Sequence, residues 1–302
     1  PRPSLGTSFY KAHGLGNDYL VFSAGSDWSA TPAAVEAVCN RTRGVGADGI
    51  VVLLANHDVD GIHLRMFNPD GSEFERSGNG LRVLASYLAR EHVVDGEPFA
   101  VEIGGATVKM TVHGVSGATY DVSVDMGHCH VGPSAVGLDS NALDEQGRLA
   151  GPDGVLLHII PVSVGNPHLV ALVRDATEEL LECLGPFLVC HPSLSHGANV
   201  QLVTPTGPNR MRALIWERGV GRTSASGTSA CAVAVAAVAE GLAEAGEVTV
   251  DMPGGSLVVS VTSEHSAVLR GPVEEVLSGE LASEWVSVLA ALAQSDTDHD
   301  GE

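Results

Sequence analysis

Short apolar runs with period-two alternation recur along the chain, each bounded by Gly, Pro, Asn or Asp, and they predict strands at 9–12, 19–22, 50–54, 62–67, 99–103, 107–112 and 120–124. A second series is predicted at 158–164, 200–203, 210–216, 247–252, 256–261, 267–270 and 274–278, with Gly271-Pro272 separating the last two. Helices are predicted from Thr31-Pro32 to about Arg41, with proline in the first turn, near Ala176 to Leu184, and from about Ser283 to Ala293. Two more begin at a Ser-Gly pair. Ser77 opens SGNGLRVLASYLA. Ser226 opens SGTSACAVAVAAVAE, an alanine and valine run closed by Gly241, which suits a buried helix. Residues 132–154 are rich in Gly, Pro, Asp and Asn without a period, and read as the connection between two halves.

The two Ser-Gly starts lie 149 positions apart. The same offset relates Gly16-Asn17-Asp18-Tyr19-Leu20-Val21 to Gly165-Asn166-Pro167-His168-Leu169-Val170, and Met66-Phe67-Asn68 to Ile215-Trp216-Glu217. Three matches at one spacing argue for an internal duplication with repeats of about 150 residues, an ordinary domain size. Two similar halves facing one another across a cleft are expected: 1–127, completed by 273–293, and 128–272. The first turn of a helix leaves backbone N–H groups without intrahelical acceptors, so each Ser-Gly start is a place where a carboxylate is welcome. Serine as a plain N-cap explains each start equally well when taken alone.

With 44% hydrophobic residues but only 4% aromatics, the cores must be built from Val, Leu and Ala. The formal charge is −21, from 16 basic and 37 acidic residues, and the only lysines are Lys11 and Lys109. That balance argues against a nucleic-acid partner and leaves an anionic ligand to be held locally. The acidic tail at 294–302 is expected to be disordered. No apolar run approaches the roughly 18 residues of a membrane span, and Pro1 to Thr7 lacks the form of a signal peptide, so a cytoplasmic protein away from membranes is expected. Five cysteines without CxxC spacing point to reduced thiols. Only His128-Cys129-His130 looks metal-like, and strand alternation would send its middle residue to the other face. Neither a metal nor an organic cofactor is expected. The loop Gly44-Val45-Gly46-Ala47-Asp48-Gly49 lacks the GK[ST] of a phosphate loop.

KAHGLGNDYLVF, RGVGADG, FNPDGSE, SGNG with Arg82, SVGNPHLV, GANV, ERGVGRT with ASGT, and GPVEEVLSGE follow one another between about Phe9 and Glu280. In content and order they resemble the motifs of the diaminopimelate epimerases, amino-acid racemases that work without pyridoxal phosphate. The resemblance implies an α/β fold of the mixed α+β kind. Each of two pseudo-symmetric domains is then a curled mixed β-sheet around a central helix, with an amino-acid substrate between the two helix starts. It further implies that Asn17, Asn68, Asn166, Asn199, Glu217 and Arg218 bind the polar groups of that substrate. Gly78-Asn79 and Gly227-Thr228 would hold its α-carboxylate, and Asp70 and His168 would stand near the acid and base. A homodimer stays open as the assembly.

In that family two cysteines, one at each helix start, remove and return the α-proton from opposite faces. Here both positions are serine, Ser77 and Ser226. A thiol ordinarily titrates near 8.5 and falls further at a helix N-terminus, whereas a serine hydroxyl is far too weak an acid to rest as alkoxide. Arg222, where the family usually has glutamate, and Ser229, where it has glycine, are further departures. Three readings follow: an isomerase interconverting LL- and meso-diaminopimelate, impaired or altered by the serines; a paralogous isomerase or dehydratase acting on another amino or hydroxy acid, with Asp70, Glu75 or His168 as base; or a non-catalytic carboxylate-binding protein.

Overall fold

The computed structural model describes residues 1–54, 61–74 and 77–299. The chain divides into two compact units, Pro1–Val124 with Pro272–Glu302, and Asp125–Gly271. In chain order the first unit contains β1 (Ser4–Gly14), β2 (Asn17–Ala24), β3 (Trp28–Ser29), α1 (Pro32–Cys39), β4 (Ile50–Leu53), β5 (Ile62–Phe67), β6 (Glu73–Phe74), α2 (Gly78–Arg90), β7 (Phe99–Ile103), β8 (Ala106–Ser116) and β9 (Thr119–His128), which runs into the second. There follow β10 (His130–Val131), α3 (Pro133–Val136), β11 (Arg148–Ala150), β12 (Leu156–Ser163), β13 (Pro167–Leu172), α4 (Glu178–Val189), β14 (Asn199–Gly207), β15 (Arg210–Glu217), β16 (Gly221–Thr223), α5 (Gly227–Ala239), β17 (Gly246–Met252) and β18 (Gly255–Val261). β19 (Ser266–Glu280) returns to the first unit, which α6 (Ser283–His299) completes.

The duplication is visible in the strand pairing. In the first unit β1–β2 is antiparallel, β2–β4 parallel, β4–β5 antiparallel, β5–β7 parallel, and β7–β8 and β8–β9 antiparallel. The second repeats that order through β12–β13, β13–β14, β14–β15, β15–β17, β17–β18 and β18–β19. The parallel steps require crossovers, and they carry α1 and α2 in one unit and α4 and α5 in the other. Each mixed sheet curls around its second helix: α2 packs against β1, β2, β4 and β8, and α5 against β12, β13, β14, β15, β17 and β18. Most residues of both helices are therefore buried on every side, which accounts for their small and apolar composition. Outside the first sheet, α1 and α6 cover a core of Leu20, Phe22, Trp28, Val35 and Leu289, and α4 covers Leu169, Leu181, Leu188 and Leu202 in the second unit.

Four expectations need correction. Residues 132–154 do not join two halves but lie inside the second unit, where β11 pairs with β12. β19 is one strand and not two. Pro272 falls between the pairing of Val258–Val261 with Ala267–Arg270 and the pairing of β1 with Glu274–Glu280, where the strand changes partner. α4 runs to Val189 with Pro186 inside it. Finally, α6 continues to His299 because no Gly or Pro interrupts it after Ser283, so the tail expected to be disordered is helical through that residue, and 300–302 lie outside the described residues.

Candidate active site

Ser77 is the N-cap of α2. Its backbone is extended (φ −136°, ψ 121°), and its Oγ accepts the Gly80 N–H at 3.1 Å, satisfying one of the donors a helix start leaves open. A second donor comes from the sheet, where the Tyr19 hydroxyl of β2 donates to the same Oγ at 3.0 Å. Gly80 makes room for that ring, since a Cβ there would lie 3.3 Å from Tyr19 Cε1 and from Met66 Cε. Asn17 stands at the head of β2, after a two-residue turn in which Leu15 (φ 54°) and Gly16 (φ 90°) both take left-handed backbone, the geometry of a tight hairpin.

A directed chain of hydrogen bonds ties this hairpin to α2. The fully buried Arg82 donates to Asn79 Oδ1 and, at 3.0 Å, to the Pro272 carbonyl. Asn79 Nδ2 donates to Asn17 Oδ1 at 2.8 Å, and Asn17 Nδ2 donates to Asp48 Oδ2 at 2.9 Å. The glycine-rich loop at 44–49 thus positions a carboxylate. Arg41 bridges Asp48 to Asp18, and Lys11 lies 3.0 Å from Asp18. Burial opposes the charge on Asp18, but hydrogen bonds from Arg41 and Lys11 outweigh it and bring the carboxyl down to about 2.

Asn68 and Asp70 are occupied differently. Asn68 Nδ2 donates to Ser72 Oγ, and Asp70 Oδ1 accepts both the N–H (2.9 Å) and the hydroxyl (2.6 Å) of Ser72. These bonds hold the exposed Asp70 carboxyl below its ordinary range and close the turn on itself. Glu75 lies outside the described residues.

In the second unit Ser226 caps α5 with the same extended backbone (φ −152°, ψ 128°) but weaker bonds: Ser229 N–H and Thr228 Oγ1 are each 3.5 Å from its Oγ. His168, at the place of Tyr19, points elsewhere. Gln201 Nε2 reaches His168 Nδ1 at 2.9 Å and Ser229 Oγ at 3.0 Å, and His168 Nε2 pairs with Asn166 Oδ1 at 2.9 Å. A Gln201 amide donating to Nδ1 places the imidazole proton on Nε2, which then donates to Asn166. Burial drives His168 down to about 3; the nearby Arg218 charge works in the same direction and the Gln201 bond against it. The ring is neutral at any ordinary pH.

Asn199 Oδ1 accepts the Arg218 N–H at 2.9 Å, while the Arg218 guanidinium, exposed, donates to the His196 carbonyl at 2.7 Å. Gly197 permits that approach: it has φ 69°, and a Cβ would come within 2.6 Å of the Val189 carbonyl. Glu217 ends β15, opposite Gly221. Arg222 pairs at 2.8 Å with Glu178, the first residue of α4.

The structure therefore gathers Asn17, Ser77, Gly78 and Asn79 at one helix start, and Ser226, Gly227 and Thr228 at the other. His168 and Asn166 are linked to α5 through Gln201, and Asn199 holds Arg218. Asn68 and Asp70 remain in their own turn. Sequence reasoning missed Tyr19, Asp48, Arg82 and Gln201. Gln201 is a lone amide in the apolar run 200–203 and Arg82 a charge among the buried residues of α2, signals that could have marked both.

The family model described as diaminopimelate epimerase matches residues 9–131 and 160–276. A diaminopimelate epimerase of Pelotomaculum thermopropionicum is 35% identical over 275 residues, covering 90% of this chain and 98% of the relative. One of Desulforudis audaxviator is 36% identical over 281 residues, covering 92% and 99%. Among solved structures, a predicted epimerase from Pseudomonas aeruginosa superposes with a TM-score of 0.67 at 20% identity, covering 91% of this chain and 99% of that one. A probable proline racemase from Agrobacterium radiobacter gives 0.63 at 16% identity, covering 91% and 93%, so these two likenesses carry the fold alone. Family match, relatives and the twice-built helix start agree: the chain belongs to the diaminopimelate epimerase family.

Proposed function

We propose that the chain is an isomerase of the diaminopimelate epimerase type, working at the α-carbon of diaminopimelate without a cofactor. The observation that carries the reading is the paired construction of α2 and α5, each opened by Ser-Gly with the serine hydroxyl on its own first turn. Backbone N–H groups and the positive end of the helix dipole favour a carboxylate there, and a carboxylate so held draws charge from the adjacent α-carbon. Ser77 and Ser226 take the positions of the two proton-transferring groups. Asn17, Asn68, Asn166, Asn199, Glu217 and Arg218 supply polar contacts to the rest of the ligand.

Serine in both positions removes the thiolate that would act as base, so the reading separates binding from turnover. Calorimetry should show LL- or meso-diaminopimelate binding, and Ser77→Cys with Ser226→Cys should gain epimerisation. Absence of heat at millimolar ligand would sink the reading. Arg222, paired with Glu178, favours a second one, a changed substrate. Label from D2O entering another amino or hydroxy acid, with none entering diaminopimelate, would select it.

A further inference from the structure

Ser77 and Ser226 cap equivalent helices, but their oxygens are engaged differently. Ser77 Oγ accepts from the Gly80 N–H and from the Tyr19 hydroxyl, at 3.1 and 3.0 Å. With both acceptor directions filled, its own proton is left to point away from these donors. Among the described residues, the hydrogen bonds of Ser226 Oγ are with Ser229 N–H and Thr228 Oγ1, both at 3.5 Å. The ionisable ring that the repeat offers on that side, His168, has Nδ1 and Nε2 committed to Gln201 and Asn166. A phenol backs one serine, and among the described residues no free base is hydrogen-bonded to the other.

We propose that Tyr19 is the proton partner of Ser77, so that this chain exchanges the α-proton of its substrate on one face only. The inference rests on the reading above, in which the α-carbon of diaminopimelate lies at the start of α2. The bond seen, from the Tyr19 hydroxyl to Ser77 Oγ, is the arrangement in which Ser77 returns its proton to Cα while Tyr19 replaces it. In the forward step, with the Tyr19 proton released to water and the Ser77 hydroxyl turned to the phenolate, Ser77 Oγ takes the proton from Cα as its own passes to Tyr19. The C–H bond breaks and its electron pair stays on the substrate, spread into the carboxylate. Ser77 ends as a neutral hydroxyl and Tyr19 as a neutral phenol. The return step reverses each transfer, so nothing else is consumed. No serine alkoxide has to accumulate, because the charge rests on a phenolate, whose acid form ordinarily titrates near 10, against about 8.5 for the thiol it replaces. Ser226 has no such partner among the described residues and is assigned no proton transfer, so the configuration is kept.

Tyr19 acts through Ser77 as a positioning residue, and its buried ring packs beside Gly80 and Gly49, so Tyr19→Phe removes the hydroxyl while keeping the packing. The test incubates the full chain with LL- and with meso-diaminopimelate in D2O, following label by mass spectrometry, configuration by chiral chromatography and binding by calorimetry. Label should enter α-carbons of one configuration only, with that configuration retained. Tyr19→Phe should lower the exchange rate by at least about 100-fold, as loss of a proton-transfer partner does, with affinity unchanged. Tyr19→Phe combined with Ser77→Cys should regain exchange, since a thiol needs no phenol behind it.

Binding without exchange, exchange accompanied by inversion at the same rate, full exchange in Tyr19→Phe, or no recovery in the double variant would each overturn the inference. Absence of binding instead removes the proposed substrate, and the inference falls with it.

Discussion

At residue 80 and its counterpart 229 the two repeats differ by a side chain of two heavy atoms, and the chemistry around the helix starts diverges from there. Gly80 lets the Tyr19 ring approach, whereas the Ser229 hydroxyl takes a bond from Gln201, which also holds His168. The strand register makes Gln201 the counterpart of Val51, since Gln201 lies opposite Val170 as Val51 lies opposite Val21. A neutral His168 has a consequence for stability. Its folded value near 3 lies below the ordinary 6.5, so as pH falls the unfolded chain binds this proton first. The contribution is fully present above pH 6.5 and is lost as pH falls towards 3. Denaturant titrations should show the chain losing about 2 kcal/mol between pH 6.5 and 5, and His168→Gln losing clearly less over the same range. Sequence alone paired His168 with Tyr19 by offset but could not tell that one ring turns towards the cap and the other away. That choice depends on Gln201, which lies on a different strand.

Caps distinguish the equivalent outer helices α1 and α4. Thr177 accepts the Leu180 N–H at 3.2 Å, whereas Thr31 makes no cap bond and its buried Oγ1 has no hydrogen-bond partner among the described residues. Thr177→Ala should therefore lower stability by about 1 kcal/mol, and Thr31→Ala by less than about 0.5 kcal/mol, measured by urea unfolding. Elements with their own local signal were legible in advance. The Ser-Gly helix starts, the proline-led α1 and the strands at 62–67 and 99–103 came through with little or no change. The two-residue strands β3 and β6 carry too few residues to show alternation. The passage of β19 through Gly271-Pro272 was read as a break because local preference says so. The strand changes pairing partner at that point, from β18 to β1, which only the fold reveals.

The duplication was legible at the scale of the whole molecule, because an offset of 149 residues survives in three places. The common order of six strand pairings follows from it. A formal charge of −21 acts on the molecule as a whole, through repulsion that salt screens over about 10 Å at 0.1 M. Raising NaCl from about 0.01 to about 0.15 M should lift the Tm by about 2–4 °C, corresponding to roughly 1 kcal/mol in a chain of this size. A Tm unmoved by salt would show that local ion pairs such as Arg41 with Asp18 and Asp48 already neutralise the excess.

One unit is a single uninterrupted segment and the other is not. Residues 125–271 can collapse as soon as they leave the ribosome, but the first unit lacks its closing strand, and the Pro272 carbonyl that receives Arg82, until the whole of the second has been made. The half made first is thus the half finished last, and the bond from Arg82 to Pro272 that ties its central helix to its closing strand is among the last to form.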